Sequence, residues 1–472
     1  MASSYIILLL SITIVLSALA YGTVHYWALA LFEMGACSII LLWMIDAWRS
    51  RTLRFSRSLL QLPLIGILLL GLFQLLPLRS YSGAGTLSAP PISSLSIDPY
   101  STRLTLVQIG ALLIYFAAAL AFIDSPKRLR LIVRTVTIFG FLMALLGLMQ
   151  YFTSPGKIYW VKELPQSVPF GPFYNRHHFA AYMELAMAVP LGLLFSGAIE
   201  QDKRLLYVFV VAMMGIALIM TTSRGAIIGF FAEAAFLVTM IRFKREEQGE
   251  RVKKRRRRVR AVLVRAGLIM ALMLTLVVGA IMFGGEEALS RFVGTVNSND
   301  PTTGRTHFWG VTLDIIRAHP FLGSGLGSYG LAYTQYDTRN GIYRLEQAHN
   351  DYLQVMSDAG VIGIGLGILF VVVLFKSGLA RGASEDPFRR GVAIGALAGC
   401  FGVLVHSFFD FTLHTTANAL LFLVLAALAT INGRVEQSSQ RRRRRRRRRS
   451  SSLKQPKLPD VPSGAVATPQ AQ

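Results

Sequence analysis

Two arginines and a histidine have surroundings that could serve chemistry. Arg224 closes the turn Thr221-Thr222-Ser223-Arg224-Gly225 between two apolar runs. A guanidinium held at a membrane boundary loses hydration, and a bound anion is the usual compensation. The bland alternative is an interfacial arginine whose stem lies along lipid while its head reaches water. Arg305, in Thr303-Gly304-Arg305-Thr306-His307-Phe308-Trp309, opens a stretch with apolar residues at helical spacing. The free N–H groups of a helix N-terminus favour anions, and arginine adds a planar, two-pronged donor. A solvated arginine in a first helical turn would read the same way. His349, in Gln347-Ala348-His349-Asn350-Asp351-Tyr352, precedes a second helical stretch. A helix N-terminus disfavours imidazolium, which leaves a neutral ring able to accept a proton. A structural histidine at the start of that helix is the competing reading.

The stretch Asn175-Arg176-His177-His178-Phe179-Ala180 adds polar groups just before another apolar run. Adjacent histidines point about 100° apart on a helix, and no HxxxH or HExxH spacing accompanies them, so no metal site is expected. Polar grip on a substrate or interfacial anchoring fits better. Asn175, Arg176 and His178 are candidate substrate contacts, with Asn350 and Tyr352 beside His349. Three acids, Glu33, Glu184 and Glu233, fall inside apolar runs, where a carboxylate faces protein or a wet cavity. Their types allow pairing with a buried cation, a proton path or simple protonation.

The elements that must position these residues are membrane helices. Fifty-three per cent of the 472 residues are hydrophobic, mean hydropathy is +0.49, and runs near the ~20 residues needed to cross a bilayer recur along the chain. Spans are expected near residues 5–22, 27–47, 59–77, 104–123, 131–152, 178–198, 204–221, 224–242, 260–283, 359–376, 391–409 and 416–432, giving an all-α polytopic protein of about twelve transmembrane helices. The first run lacks a basic leader and a cleavage site, so it reads as a span. Cys37 and Cys400 lie in apolar runs without ligand spacing and read as small core residues. With the N-terminus inside, 38 of the 49 Lys and Arg residues fall in cytoplasmic segments, as the positive-inside rule requires. The net charge of +24 is concentrated beside spans, in the patch Lys253 to Arg260 and the tract Arg441 to Arg449. That location implies an anionic lipid surface rather than nucleic acid.

One connection is long. Residues 284–358, between the ninth and tenth spans, form a large external loop that carries helical patterning over Arg305 to Ala318, a stop at Pro320, the close-approach segment Gly323-Ser-Gly325-Leu-Gly327, and a second short helix from Asn350. A break is expected at Gly360. This loop reads as a two-helix lid on a membrane domain of residues 1–432, followed by a basic disordered cytoplasmic tail, 433–472.

Four stretches, in this order, resemble the O-antigen ligase and polymerase superfamily of bacterial membrane glycosyltransferases. They are Phe170-Gly-Pro-Phe-Tyr-Asn-Arg-His-His-Phe-Ala180, Thr222-Ser-Arg-Gly225, Gly304-Arg-Thr-His-Phe-Trp309 through His319-Pro-Phe-Leu-Gly-Ser-Gly-Leu-Gly327, and His349-Asn-Asp-Tyr-Leu-Gln354. Similarity runs from about residue 20 to 430. His177 departs from the family pattern, which commonly has asparagine there. The resemblance implies an undecaprenyl-diphosphate-linked glycan as donor and a lipid, glycan or protein as acceptor, in surface polysaccharide biosynthesis at the bacterial inner membrane, with the active site facing outward. It also implies that Arg224 and Arg305 hold the diphosphate, that His349 lies near the acceptor, and that transfer inverts the anomeric carbon without metal or cofactor. The residue types suit that chemistry, because a departing diphosphate gathers negative charge that arginines in a partly dry site stabilise. A polytopic transporter of a small solute is the main alternative; neither a repeat of halves nor a matched pair of broken helices speaks for it.

Overall fold

The computed structural model describes residues 2–78, 94–164, 167–246, 305–338 and 345–431. Among them the chain is mostly helical: α1 (Ala2–Leu19), α2 (Tyr26–Ser50), α3 (Gln61–Gln74), α4 (Pro99–Phe122), α5 (Pro126–Thr153), α6 (Arg176–Ser196), α7 (Arg204–Met220), α8 (Arg224–Glu246), α9 (Arg305–Ala318), α10 (Tyr329–Tyr336), α11 (Asp351–Gly382), α12 (Pro387–His406) and α13 (Thr416–Thr430). A two-residue antiparallel ribbon, β1 (Lys157–Ile158) with β2 (Lys162–Glu163), lies between α5 and α6. Several helices start where local chemistry dictates. Asp98, Ser125 and Asp386 each accept a backbone N–H of the first turn, and each is followed by proline, whose missing donor does no harm at the first helical position.

Eight helices among the described residues are long and apolar enough to cross a membrane: α1, α2, α4, α5, α6, α7 with the turn preceding it, α11 and α12. The expected spans 59–77 and 416–432 fall on the shorter apolar helices α3 and α13, and 224–242 falls on α8. The expected span 260–283 lies outside the described residues, as do residues 284–304 of the long loop and the tail beyond 431.

α6 is the buried axis of the bundle. It meets α12 through small residues, Gly192 of α6 against Gly391 and Gly395 of α12: a Cβ on Gly192 would sit 2.3 Å from the Gly391 carbonyl oxygen and 2.5 Å from the Gly395 Cα. Small residues let membrane helices approach this closely, where hydrophobic driving force between helices is weak. Glu184 of α6, Glu233 of α8 and His406 of α12 are fully buried between these helices, and His406 Nδ1 lies 2.9 Å from Glu184 Oε2. Glu33, by contrast, is half-buried on α2. At the opposite end of α12, Arg389 is also buried. It donates to the carbonyls of Leu428 (3.0 Å), Ala429 (3.2 Å) and Ile431 (2.8 Å), so a buried cation satisfies the free C-terminal carbonyls of α13.

The lid has its own small core, formed by Ile97, Val311, Ile315, Tyr329, Tyr333 and Ala348. Its first helix is α9, and the helix ends two residues before Pro320 as expected. One expectation is corrected. α10 is an additional lid helix, held by the burial of Tyr329 and Tyr333 and by a 2.8 Å hydrogen bond between the Thr312 and Tyr329 hydroxyls. The second lid helix starts as expected, capped by Asn350, and the non-helical backbone of Gly360 (φ 61°) breaks it from the span that follows within the range of α11. Glycine tolerates that backbone state, and a Cβ there would lie 2.3 Å from the Phe321 carbonyl oxygen. The segment Gly323-Ser-Gly325-Leu-Gly327 is a close approach in fact. A Cβ on Gly323 would lie 2.3 Å from the Asp358 backbone, the Leu326 N–H donates to Gln74 Oε1 (2.9 Å), and the Gly327 N–H donates to Asp358 Oδ2 (3.1 Å). These contacts clamp the lid onto α3 and α11.

Candidate active site

The starts of α6, α8, α9 and α11 and the end of α12 meet at one end of the bundle, and the loop 407–415 between α12 and α13 passes through the meeting point. Asp410 of that loop is 1% exposed. Its Oδ1 lies 3.3 Å from His349 Nδ1, and its Oδ2 lies 3.9 Å from Arg305 Nη2 and 3.8 Å from His177 Nδ1. Burial alone would raise the Asp410 carboxyl. The hydrogen bond with His349 and the flanking imidazoles of His177 and His178 outweigh it and hold the group well below the ordinary carboxylate range. Asp410 is therefore an anion at neutral pH, with a histidine on one oxygen and an arginine near the other.

The loop that carries Asp410 is fixed by Asp351. This carboxylate accepts from the Ser407 hydroxyl (2.7 Å), the Thr412 hydroxyl (3.3 Å), the Leu413 N–H (3.2 Å) and His414 Nδ1 (2.6 Å). The protein around His414 opposes its charge although the residue is partly exposed, but the Asp351 hydrogen bond and carboxylate raise its pKa above the ordinary imidazole value. Phe411, next along, presents its ring edge-on to both His349 (4.9 Å between centroids) and His178 (4.7 Å).

The other expected site residues divide by what holds them. Asn175 caps α6 by accepting from the His177 N–H at 2.8 Å, and Arg176 Nη1 donates to Thr222 Oγ1 at 2.9 Å. His178 is buried, its Nδ1 2.7 Å from Thr415 Oγ1. Asn350 caps α11 through the Tyr352 and Leu353 N–H groups, both at 3.0 Å, and its own amide donates to the Phe408 carbonyl at 3.0 Å. The Tyr352 hydroxyl donates to the Leu404 carbonyl at 2.6 Å. These five build the walls. Arg224 opens α8 and is exposed; among the described residues its guanidinium makes no hydrogen bond or ion pair. Its neighbour Ser223 hydrogen-bonds His177 Nδ1 at 2.8 Å, so Arg224 sits on the rim while Arg305, 24% exposed at its side chain, lies inside.

His349 has φ 50°, an uphill state for a residue with a side chain that persists where surrounding structure imposes it. With Nδ1 turned to Asp410, the tautomer favoured at neutral ring charge leaves Nε2 as the proton acceptor. A carboxylate–imidazole pair of this kind orients a base, and such contacts shorten when the reacting group is bound. Arg305 brings an anion-binding group to the same place. The arrangement suits proton removal from a hydroxyl beside a departing anion.

Sequence reasoning did not single out Asp410, Phe411 or His414. The available signal was an acid amid Phe408-Phe409-Asp410-Phe411, between two apolar runs, where a carboxylate has no purely apolar reason to stand. His177, set aside as a departure from the family pattern, is brought to the Asp410 carboxylate.

The chain matches no curated protein. A family model does match: the one described as O-antigen ligase covers residues 209–368, a segment that contains Arg224, Arg305 and His349 but neither His177 nor Asp410. The match indicates O-antigen ligase/polymerase-type function in surface polysaccharide biosynthesis, and it supports the O-antigen ligase/polymerase superfamily as the family of this multi-helix membrane protein.

Proposed function

We propose that the protein transfers a glycan from an undecaprenyl-diphosphate carrier to a hydroxyl acceptor at the outer face of the bacterial inner membrane. The observation that carries this reading is Asp410, which brings His349 and Arg305 to one buried carboxylate. The acceptor oxygen attacks the anomeric carbon as the bond from that carbon to the diphosphate oxygen breaks. His349 Nε2 takes the hydroxyl proton, and the carrier leaves as undecaprenyl diphosphate. A single in-line displacement inverts the anomeric centre. Arg305 from inside the site and Arg224 from its rim hold the diphosphate and stabilise its growing charge, work that needs no metal. Asp410 positions His349 by the contact at Nδ1, which leaves Nε2 toward the acceptor.

The same reading places twelve spans across the membrane, with residues 1–432 as the transferase domain, the loop 284–358 outside, and the tail 433–472 inside on anionic lipid. The acceptor is a lipid, a glycan or a protein. The transporter reading receives no support from the family match. Purified protein in lipid vesicles, given lipid-linked glycan and acceptor, should consume the donor and release undecaprenyl diphosphate. Solute uptake by those vesicles without donor consumption would reject the reading.

A further inference from the structure

Beside the Asp410 site, several segments meet in a cluster of rings that the reaction as proposed does not use. Tyr21, in the turn between α1 and α2, has the rings of His25 at 5.4 Å, Tyr174 at 5.6 Å, Tyr159 at 5.7 Å and Trp27 at 6.2 Å. The Tyr174 hydroxyl lies 2.6 Å from His25 Nε2, and the Tyr159 hydroxyl donates to the Leu19 carbonyl. Lys162 Nζ stands 4.9 Å from the Tyr174 ring centroid and 5.4 Å from that of Tyr21. Tyr21, His25, Tyr159 and Tyr174 are half-buried, while Trp160 and Lys162 are exposed.

A belt of aromatic residues at the bilayer interface accounts for Tyr26 and Trp27, which are 76% and 52% exposed. It does not account for the cluster, whose rings meet edge-on or tilted, with His25 and Tyr174 joined by a hydrogen bond and Tyr159 anchored to the backbone. It does not account for the backbone either. Seven non-glycine residues among those described have positive φ. Four of them support this cluster: Tyr21 (58°), Thr23 (59°), Tyr159 (52°) and Trp160 (63°). Two more, Thr222 and His349, belong to the Asp410 site, and Arg51 follows the far end of α2. Such states are uphill for residues with bulky side chains, and they concentrate where a geometry is held for a ligand.

The cluster is continuous with the site. Tyr174 directly precedes Asn175, Arg176 and His177. A Cβ on Gly22 would lie 2.9 Å from the Phe173 ring and 3.1 Å from the Thr415 side chain, and Thr415 is the partner of His178. Thr416 donates to the Thr23 carbonyl at 2.9 Å. A rigid wall thus runs from the rings to the loop of Asp410.

One face of a pyranose presents C–H groups of slight positive charge, which suit the negative face of an aromatic ring, while its rim presents hydroxyls that need donors and acceptors. Tyrosines with polar tips, a histidine and a lysine at the edge supply both. We infer that the Tyr21–Tyr159–Tyr174 cluster, with Lys162 at its rim, is a subsite for sugar rings of the donor glycan, beyond the sugar joined to the diphosphate. The inference rests on the glycan-transfer reading and adds to it the path of the chain across the protein.

The test uses full-length protein in nanodiscs and two probes: the free oligosaccharide released by mild acid from the lipid-linked donor, and undecaprenyl diphosphate without sugar. Binding of each is measured for wild type, Tyr21→Ala, Tyr174→Ala and Tyr21→Phe. Both alanine variants should weaken oligosaccharide binding by about five- to tenfold, Tyr21→Phe should keep it, and undecaprenyl diphosphate should bind all four alike. Oligosaccharide binding that is indifferent to both alanines overturns the subsite. So does a parallel loss of both probes, which would make the rings a support for the fold. Ring-dependent oligosaccharide binding by a wild type that ignores undecaprenyl diphosphate would uphold the subsite while rejecting the diphosphate donor.

Discussion

Arg305 and Asp410 stand 3.9 Å apart, so a diphosphate drawn to Arg305 must share that guanidinium with a carboxylate. A planar fork of donors can serve both; a lysine ammonium in the same place cannot. Arg305→Lys and Arg224→Lys are expected to lower turnover by about 10²–10³, equivalent to about 2–4 kcal/mol, and to weaken donor binding, because the ground-state diphosphate is already charged. Donor binding unchanged in both purified variants would reject the clamp. His349→Ala and Asp410→Asn should share a different pattern: donor binding near normal and transfer slower by roughly 10²–10⁴. Normal turnover by His349→Ala rejects the base, and normal turnover by Asp410→Asn rejects its orienting partner. Arg224 and Arg305 stood out in the sequence because cations are sparse in the segments assigned to the outer face, and His349 because it precedes a helical stretch. Asp410 did not, since its meaning lies in partners such as His349, 61 positions away, and a lone acid in a turn has many ordinary explanations.

The elements that carry these residues are held by polar clamps whose failure has its own signature. His414 donates to Asp351, and its pKa is raised in the folded protein. A raised folded value means that the stabilisation is fully present below the ordinary imidazole value of about 6.5 and is lost as pH rises through the folded value. Melting temperature of wild type should therefore fall as pH rises from about 6.5 through the folded value, and His414→Gln should remove this component; identical pH profiles for the two proteins would exclude it. Gly323→Ala tests the lid clamp. Its φ of 72° and the absence of room beside the Asp358 backbone predict a loss of about 1–3 kcal/mol, seen as a lower melting temperature. α9, the glycine segment and the break at Gly360 could be read from periodicity and from glycine placement. α10 could not, because eight residues with little amphipathic pattern become helical only when Tyr329 and Tyr333 are buried against α9.

Across the whole molecule, two ends of one bundle differ in what they gather. One end holds Arg305, His349 and Asp410. The other holds the ion pairs Arg54–Asp46 (3.2 Å), Arg54–Asp124 (3.3 Å) and Arg128–Asp124 (3.0 Å), together with Arg390, which donates to the Ser196 carbonyl at 3.2 Å, and the buried Arg389. The helices thus carry to this second end the same segments, 49–57, 127–134 and 376–390, whose Lys and Arg content assigned them to the cytoplasm. That agreement between packing and charge motivates a labelling experiment. After Cys37 and Cys400 are replaced, a single cysteine at Ser298, in the long loop, should react with an impermeant thiol reagent in intact cells, and one at Ser438, before the arginine tract, should react only after permeabilisation. A companion truncation bears on the tract itself. Nine consecutive arginines, Arg441 to Arg449, follow the last expected span; on the proposed topology they face the cytoplasm, where each can contribute about 1 kcal/mol of attraction to an anionic leaflet and none takes part in transfer. Removing residues 436–472 should then lower the salt-sensitive affinity for anionic vesicles while leaving turnover per folded molecule near that of the full chain. The reversed labelling pattern would place the tract beside the site and overturn the orientation, and loss of turnover in a well-folded truncated protein would show that the tract acts in transfer after all.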